Sequence, residues 1–354
     1  MGNRAERRRA ARRTETHARA ASPRATLSAA SADSELGALV VTHYVAAADL
    51  APDATIRLTG KRIDGPGTFS QEDRVSGLTQ DGGPVAVTSW VYELAPGTWT
   101  VTAAIKGATA QRAHWSWHRW SLSREAGRPL PTRWAPLAPL AAIPGVIPGI
   151  WPLLGVIAVV LAIVVQRLML SHDGVDIPVF VSLVALVAGL AGAKIWYALL
   201  HPGPWRQALL GGWAVDGFLA VATVTAVMIL VVLRLPVAAF LDAGTPGVFT
   251  AVAIGRVGCF FAGCCAGRVT GSRFGVWSSD RKVMARRIPT QFLESAAGLA
   301  IAGAAAVVIL GHIARPGGAL FIGSLVVYLL VRQGLLRLRT ERRDYLWRRA
   351  PAGA

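Results

Sequence analysis

Gly255-Arg256-Val257-Gly258-Cys259-Phe260-Phe261-Ala262-Gly263-Cys264-Cys265-Ala266-Gly267-Arg268-Val269-Thr270 closes a hydrophobic segment with an arginine, closely spaced glycines and all three cysteines of the chain. A guanidinium at the end of an apolar run is costly in a bilayer, and such residues mark function by default. Its natural counterpart is an anion. Upstream the same run, 236–264, carries Asp242, Gly244, Pro246 and Gly247. It therefore reads as a broken or kinked span whose freed backbone groups must be buried in protein.

Five further stretches, at about 150–170, 177–200, 213–235, 289–311 and 318–338, have the roughly 20 apolar residues that cross a hydrocarbon core. Hydrophobic residues make up 53% of the 354-residue chain and charged ones 16%, but most charge lies before position 136 or between the runs. These features predict an α-helical polytopic membrane protein of about six spans, 150–338, behind a soluble front. The net charge of +17 lies at the chain ends and in one loop beside the spans. That position points to anionic headgroups of a lipid bilayer and away from nucleic acid.

Residues 1–35 hold eight arginines without periodicity and predict a disordered basic arm. No apolar run follows them closely, so no secretory signal peptide is expected. From 36 to 125, short β-rich runs alternate with turns such as Asp81-Gly82-Gly83-Pro84. The alternation of Trp99, Val101 and Ala103 predicts an all-β, sandwich-like domain. His114-Trp115-Ser116-Trp117-His118-Arg119-Trp120 suits either a membrane interface or a last sandwich strand. Residues 126–149 read as a Pro/Gly-rich linker, and 339–354 as a basic tail.

The order of motifs in the membrane half resembles the prolipoprotein diacylglyceryl transferase family. That family's signature is Gly-Arg-x-Gly-Asn-Phe-x-Asn-Gly-Glu-x-x-Gly-Arg, and Arg256, Gly258, Phe260, Gly263, Gly267 and Arg268 fit it. Asp242 and Pro246 stand at the family's spacing before it. Pro289-Thr290-Gln291-Phe292-Leu293-Glu294 resembles the Pro-Ser/Thr-Gln-Leu-Tyr-Glu motif, and Tyr328 and Arg332 keep a Tyr-x-x-x-Arg spacing. Gly211-Gly212 with Asp216-Gly217 resembles the glycine-histidine loop, and Gly192-Ala193-Lys194 a Gly-Ala-Arg. The resemblance covers roughly 145–340; the β domain is not part of the typical enzyme.

The resemblance implies transfer of the diacylglyceryl group of phosphatidylglycerol to the lipobox cysteine of a prolipoprotein, in a bacterial plasma membrane, without metal or cofactor. It implies that Arg256 and Arg332 hold the lipid phosphate, which a guanidinium can grip through two oxygens. Tyr328, one turn before Arg332, would bond the headgroup, and Glu294 would orient an arginine or Tyr328. Gln291, Gly258, Cys259, Cys264 and Lys194 occupy the remaining matched positions. Asp216 replaces the loop histidine, and a solvated carboxylate is a weak base, so it could accept the thiol proton only if folding desolvates it.

Other departures are Cys259, Ala262 and Cys264 at the signature's two asparagines and glutamate, Ile288 before the Pro-Thr-Gln motif, and Leu336 one turn after Arg332. They leave open a protein that binds lipid without turnover and uses the β domain to recruit an unknown protein partner. The cysteines read as packing residues or an oxidisable pair. As metal ligands they lack a histidine, and adjacent Cys264 and Cys265 have poor reach for one ion. Six spans place both termini and the Cys264 loop on one side. Arginine counts make that side cytoplasmic, whereas the family's active loop faces outward.

Overall fold

The computed structural model describes residues 37–46, 53–76, 82–105, 108–200, 212–313 and 316–340. The basic arm at 1–35, Gly211 and the tail beyond Thr340 lie outside them. Among the described residues, six helices are long and apolar enough to cross a membrane: α1 Ile150–His172, α2 Val179–Leu200, α3 Val215–Val232, α4 Val237–Phe261, α5 Thr290–Leu310 and α6 Ala319–Leu336. Ahead of them stands an antiparallel β domain. Together they make a polytopic membrane protein with an all-β front.

The front contains β1 Gly37–Val45, β2 Asp53–Arg62, β3 Thr68–Ser76, β4 Val85–Leu94, β5 Thr98–Ile105, β6 Ala108–Ser116 and β7 Ser121–Glu125. β1 pairs with β4 along its length but with β6 at only two positions, while β6 also pairs with β5, which continues to β2 and β3. The sheet therefore bends at β6. Its two halves close on one core that includes Leu39, Val41, Ile56, Leu58, Val87 and Trp99. Alternate residues of β5 are buried, as a half-buried strand requires.

The stretch expected to be only a linker contributes to this sheet. Residues 130–131 pair with β5 and 133–134 with β1, before a 3₁₀ turn at Ala135–Leu140. A second unforeseen contribution comes from between α4 and α5, where Val276–Ser279 and Val283–Arg287 form a hairpin. Its second strand extends the sheet beside β4, and Lys282 pairs with Asp73 at 2.6 Å. The β domain is thus stitched to the membrane domain by strand pairing and an ion pair.

In the membrane half α4 is central, packed along α1 and α5 and touched by α6, while α2 and α3 pair with each other. α4 continues through Pro246, so the expected interruption is confined to one missing amide donor. Residues Asp242 to Gly247 are all buried, which keeps that weak point away from lipid. Asp242 has a further task. Its carboxylate accepts from the amides of Gly318 and Phe321, each at 3.0 Å, and so caps the N-terminus of α6 from a neighbouring helix.

Candidate functional site

The signature run begins inside α4 and leaves it through a turn that only glycine makes cheaply. Gly263 has φ of +67°. Its amide bonds the Phe260 carbonyl at 3.3 Å, and the Cys264 amide bonds the Cys259 carbonyl at 3.0 Å, the pairing of a Schellman cap. Four residues on, a β-carbon on Gly267 would lie 2.0 Å from the Ile288 carbonyl oxygen. The chain there threads between the end of β-hairpin and the residues after α6. The Arg268 amide bonds Leu338, the Thr340 amide bonds Ala266, and the Ile288 amide bonds Arg268.

The start of α5 secures the same turn. Gln291, fully buried, donates through Nε2 to the Cys264 carbonyl at 3.0 Å, and the Thr290 hydroxyl donates to the Cys265 carbonyl at 3.4 Å. The Pro-Thr-Gln sequence is in this way a clamp on the cysteine turn. Arg287, 2% exposed, supports it from below by bonding Asp280, Gly267 and Thr340. Burial pushes the Arg287 guanidinium below its ordinary value and the Asp280 carboxylate opposes that.

One turn into α5, Glu294 is wholly buried and gathers the site. Arg256 Nε lies 3.2 Å from its Oε2, Arg332 Nη1 donates to Oε1 at 2.7 Å, and the Tyr328 hydroxyl donates to Oε1 at 3.2 Å. Arg339 donates to Oε2 as well. Three guanidiniums from α4, α6 and the segment after α6 thus share one carboxylate. The surplus is two positive charges in a place where each arginine is under a tenth exposed. Such a surplus is costly alone, and an anion resolves it.

Below the charges lies an apolar cavity of about 280 Å³, lined by Leu219, Thr223, Val252, Phe321, Leu325 and Tyr328 among others. It runs between α3, α4 and α6. Tyr328 belongs to both regions, since its hydroxyl bonds Glu294 and its ring packs on Phe249 at 5.5 Å. Above the site, the β6–β7 hairpin brings Trp120 onto Phe260 and Phe261 at the end of α4. Trp115, Trp117 and Trp120 pack on one another there, so the aromatic run is at once a strand end and a cap over the signature helix.

Of the residues expected from sequence, Arg256, Glu294, Tyr328, Arg332, Gln291, Cys259 and Cys264 come together here. The others do not. Gly258 is buried against Leu154 and Trp151 of α1, so it serves helix packing. Lys194 on α2 lies over the Trp213 ring at 4.2 Å. Asp216 is exposed in the first turn of α3. None of the contacts described for the arginine cluster includes it.

Arg339 is the residue that sequence reasoning missed, because it was counted in the basic tail. No local signal in the sequence marks it, because it lies beyond the end of α6 and is turned inward by the bridge between Gly267 and Arg339. The cysteines depart from expectation too. All three sulfurs lie within 4.8 Å of one another, and Arg256 Nη1 is 3.9 Å from Cys265 Sγ. Hydrogen bonds from the Cys259 and Cys264 thiols, with Arg256 and Arg339 alongside, hold the Cys265 thiol well below its ordinary range.

A buried cluster of three arginines around one carboxylate, next to an apolar cavity that Tyr328 also lines, sits in a bundle of helices long and apolar enough to cross a membrane. A family model described as prolipoprotein diacylglyceryl transferase matches residues 145–349, over half of the chain, and the protein belongs to that family. It is a transferase family, and the matched span contains every arginine of the cluster. No curated protein matches the chain.

Proposed function

We propose that the protein transfers the diacylglyceryl group of phosphatidylglycerol to the thiol of a lipobox cysteine in a prolipoprotein, at a bacterial plasma membrane. The observation that carries this reading is that Tyr328, bonded to the Glu294 that gathers Arg256, Arg332 and Arg339, also lines the apolar cavity. The phosphate would take the arginines and an acyl chain the cavity. As the thiol sulfur bonds to the glyceryl carbon, the carbon–oxygen bond to phosphate breaks, and glycerol phosphate leaves with the thiol proton. The guanidiniums would stabilise the charge that grows on that leaving group, in a setting of low dielectric where such stabilisation is strong. Glu294 would fix their orientation.

Lipid binding without transfer is the second reading, with the β domain recruiting a protein partner. It is favoured by the exposure of Asp216 and by Ile288, apolar where the family has histidine. Full-length protein in membranes, given labelled phosphatidylglycerol and a lipobox peptide, separates the two. Transfer predicts a thioether-linked diacylglyceryl peptide by mass spectrometry. Bound lipid with no such product would establish the second reading.

A further inference from the structure

We propose that Cys259, Cys264 and Cys265 form a three-thiolate site for one soft cation, Zn²⁺ or Cu⁺, set against the arginine cluster. The sequence argued against it, because the set lacks a histidine, which leaves one position of a tetrahedral ion to solvent, and because adjacent cysteines have poor reach for one ion. Here the backbone removes the objection of reach. Cys265 adopts φ of +55°, a conformation that a non-glycine residue holds only at a cost and usually at a functional site. The Schellman turn brings Cys264 back over the last turn of α4, where Cys259 lies. The three sulfurs consequently share one small volume, within 4.8 Å of one another.

Charge makes a cation the fitting occupant. The three sulfurs lie close enough for one ion to take the place of their protons, and thiolate sulfur selects soft ions such as Zn²⁺ and Cu⁺. With Zn²⁺ the group carries one net negative charge, with Cu⁺ two. Zn²⁺ would balance one of the two positive charges left over by Glu294 and its three arginines and leave the other for an anionic headgroup, whereas Cu⁺ would balance both. Arg256 Nη1, 3.9 Å from Cys265 Sγ, stands where an outer-shell donor to a metal-bound sulfur belongs. Binding releases the thiol protons to solvent, as metal–thiolate formation requires. Gln291 and Thr290, bonded to the Cys264 and Cys265 carbonyls, hold the ligands in place before the ion arrives. The inference does not depend on lipid transfer.

The test is a titration of reduced, full-length protein in detergent with Co²⁺, which reports thiolate ligation through its near-ultraviolet charge-transfer band. One Co²⁺ per chain should bind, and Zn²⁺ or Cu⁺ should displace it; the tighter competitor identifies the preferred ion. Cys259→Ser, Cys264→Ser and Cys265→Ser should each weaken binding at least about tenfold, and the triple variant should show no band. Because a variant could misfold, wild-type protein supplies an independent arm. Saturating Zn²⁺ should slow alkylation of the three thiols by at least about tenfold. Absence of the band with the thiols still freely alkylated, or a band that persists in the triple variant, would overturn the proposal.

Discussion

At the scale of single residues, Glu294 decides the chemistry of the site. One buried carboxylate orders Arg256, Arg332, Arg339 and Tyr328. Glu294→Gln keeps the shape but leaves three buried guanidiniums with no counter-charge. Breaking a buried ion pair by removing one partner costs about 3–5 kcal/mol, so the variant should unfold at a clearly lower temperature, read by a thermal melt in detergent. An anionic lipid should restore part of that loss, since it supplies the missing charge, whereas a zwitterionic one should restore less. The family motifs made Glu294, Arg256, Tyr328 and Arg332 legible in the sequence. Arg339 was not, because a basic residue after a last span ordinarily signals a solvated flank, and only the pairing of the chain with Gly267 turns it inward.

At the scale of elements, the site depends on how α6 is seated. Tyr328 and Arg332 project from that helix, and its N-terminus is held by Asp242 of α4 through the Gly318 and Phe321 amides. Asp242→Ala removes that cap; losses of this kind are about 1–2 kcal/mol, and the thermal melt should fall accordingly. Transfer activity should fall with it if α6 shifts. The β domain carries a different signature. His43 on β1 is buried with neither ring nitrogen hydrogen-bonded, and burial, aided by Arg112, lowers its pKa to about 4.

The unfolded chain binds this proton near the ordinary 6.5, so the stability tied to a neutral His43 is fully present above that value. It is lost as pH falls from 6.5 towards 4 and changes no further below. The span corresponds to about 3 kcal/mol. Circular dichroism melts between pH 7 and 4 should show this decline, and His43→Val should flatten it. The six spans and the strand-rich front were legible because hydrophobic length and two-residue alternation are local. The hairpin at Val276–Arg287 was not, because its pairing with β4 joins residues almost 200 positions apart and leaves no local pattern.

At the scale of the whole molecule, the ends of α4 and α6, the start of α5 and the β domain share one side. Arginine counts alone would place that side in the cytoplasm. Three of the counted basic residues have internal partners, Arg339 with Glu294, Arg287 with Asp280 and Lys282 with Asp73. Charges spent on internal partners do not report on the membrane face. Transfer to an exported lipobox requires the outward orientation. Phe274→Cys, at a highly exposed loop position, should therefore react with an impermeant maleimide in intact cells; reaction only after permeabilisation would rule out that acceptor.

The central claim is that the three arginines held by Glu294 bind a lipid phosphate. Native mass spectrometry of the purified protein with phosphatidylglycerol and with diacylglycerol, which has the same acyl chains and no phosphate, tests it most directly. Phosphatidylglycerol should bind much more tightly, and Arg256→Gln should cut that preference by at least about tenfold, the loss of one charge-assisted contact. Equal binding of the two lipids, or a preference untouched by Arg256→Gln, would contradict the account.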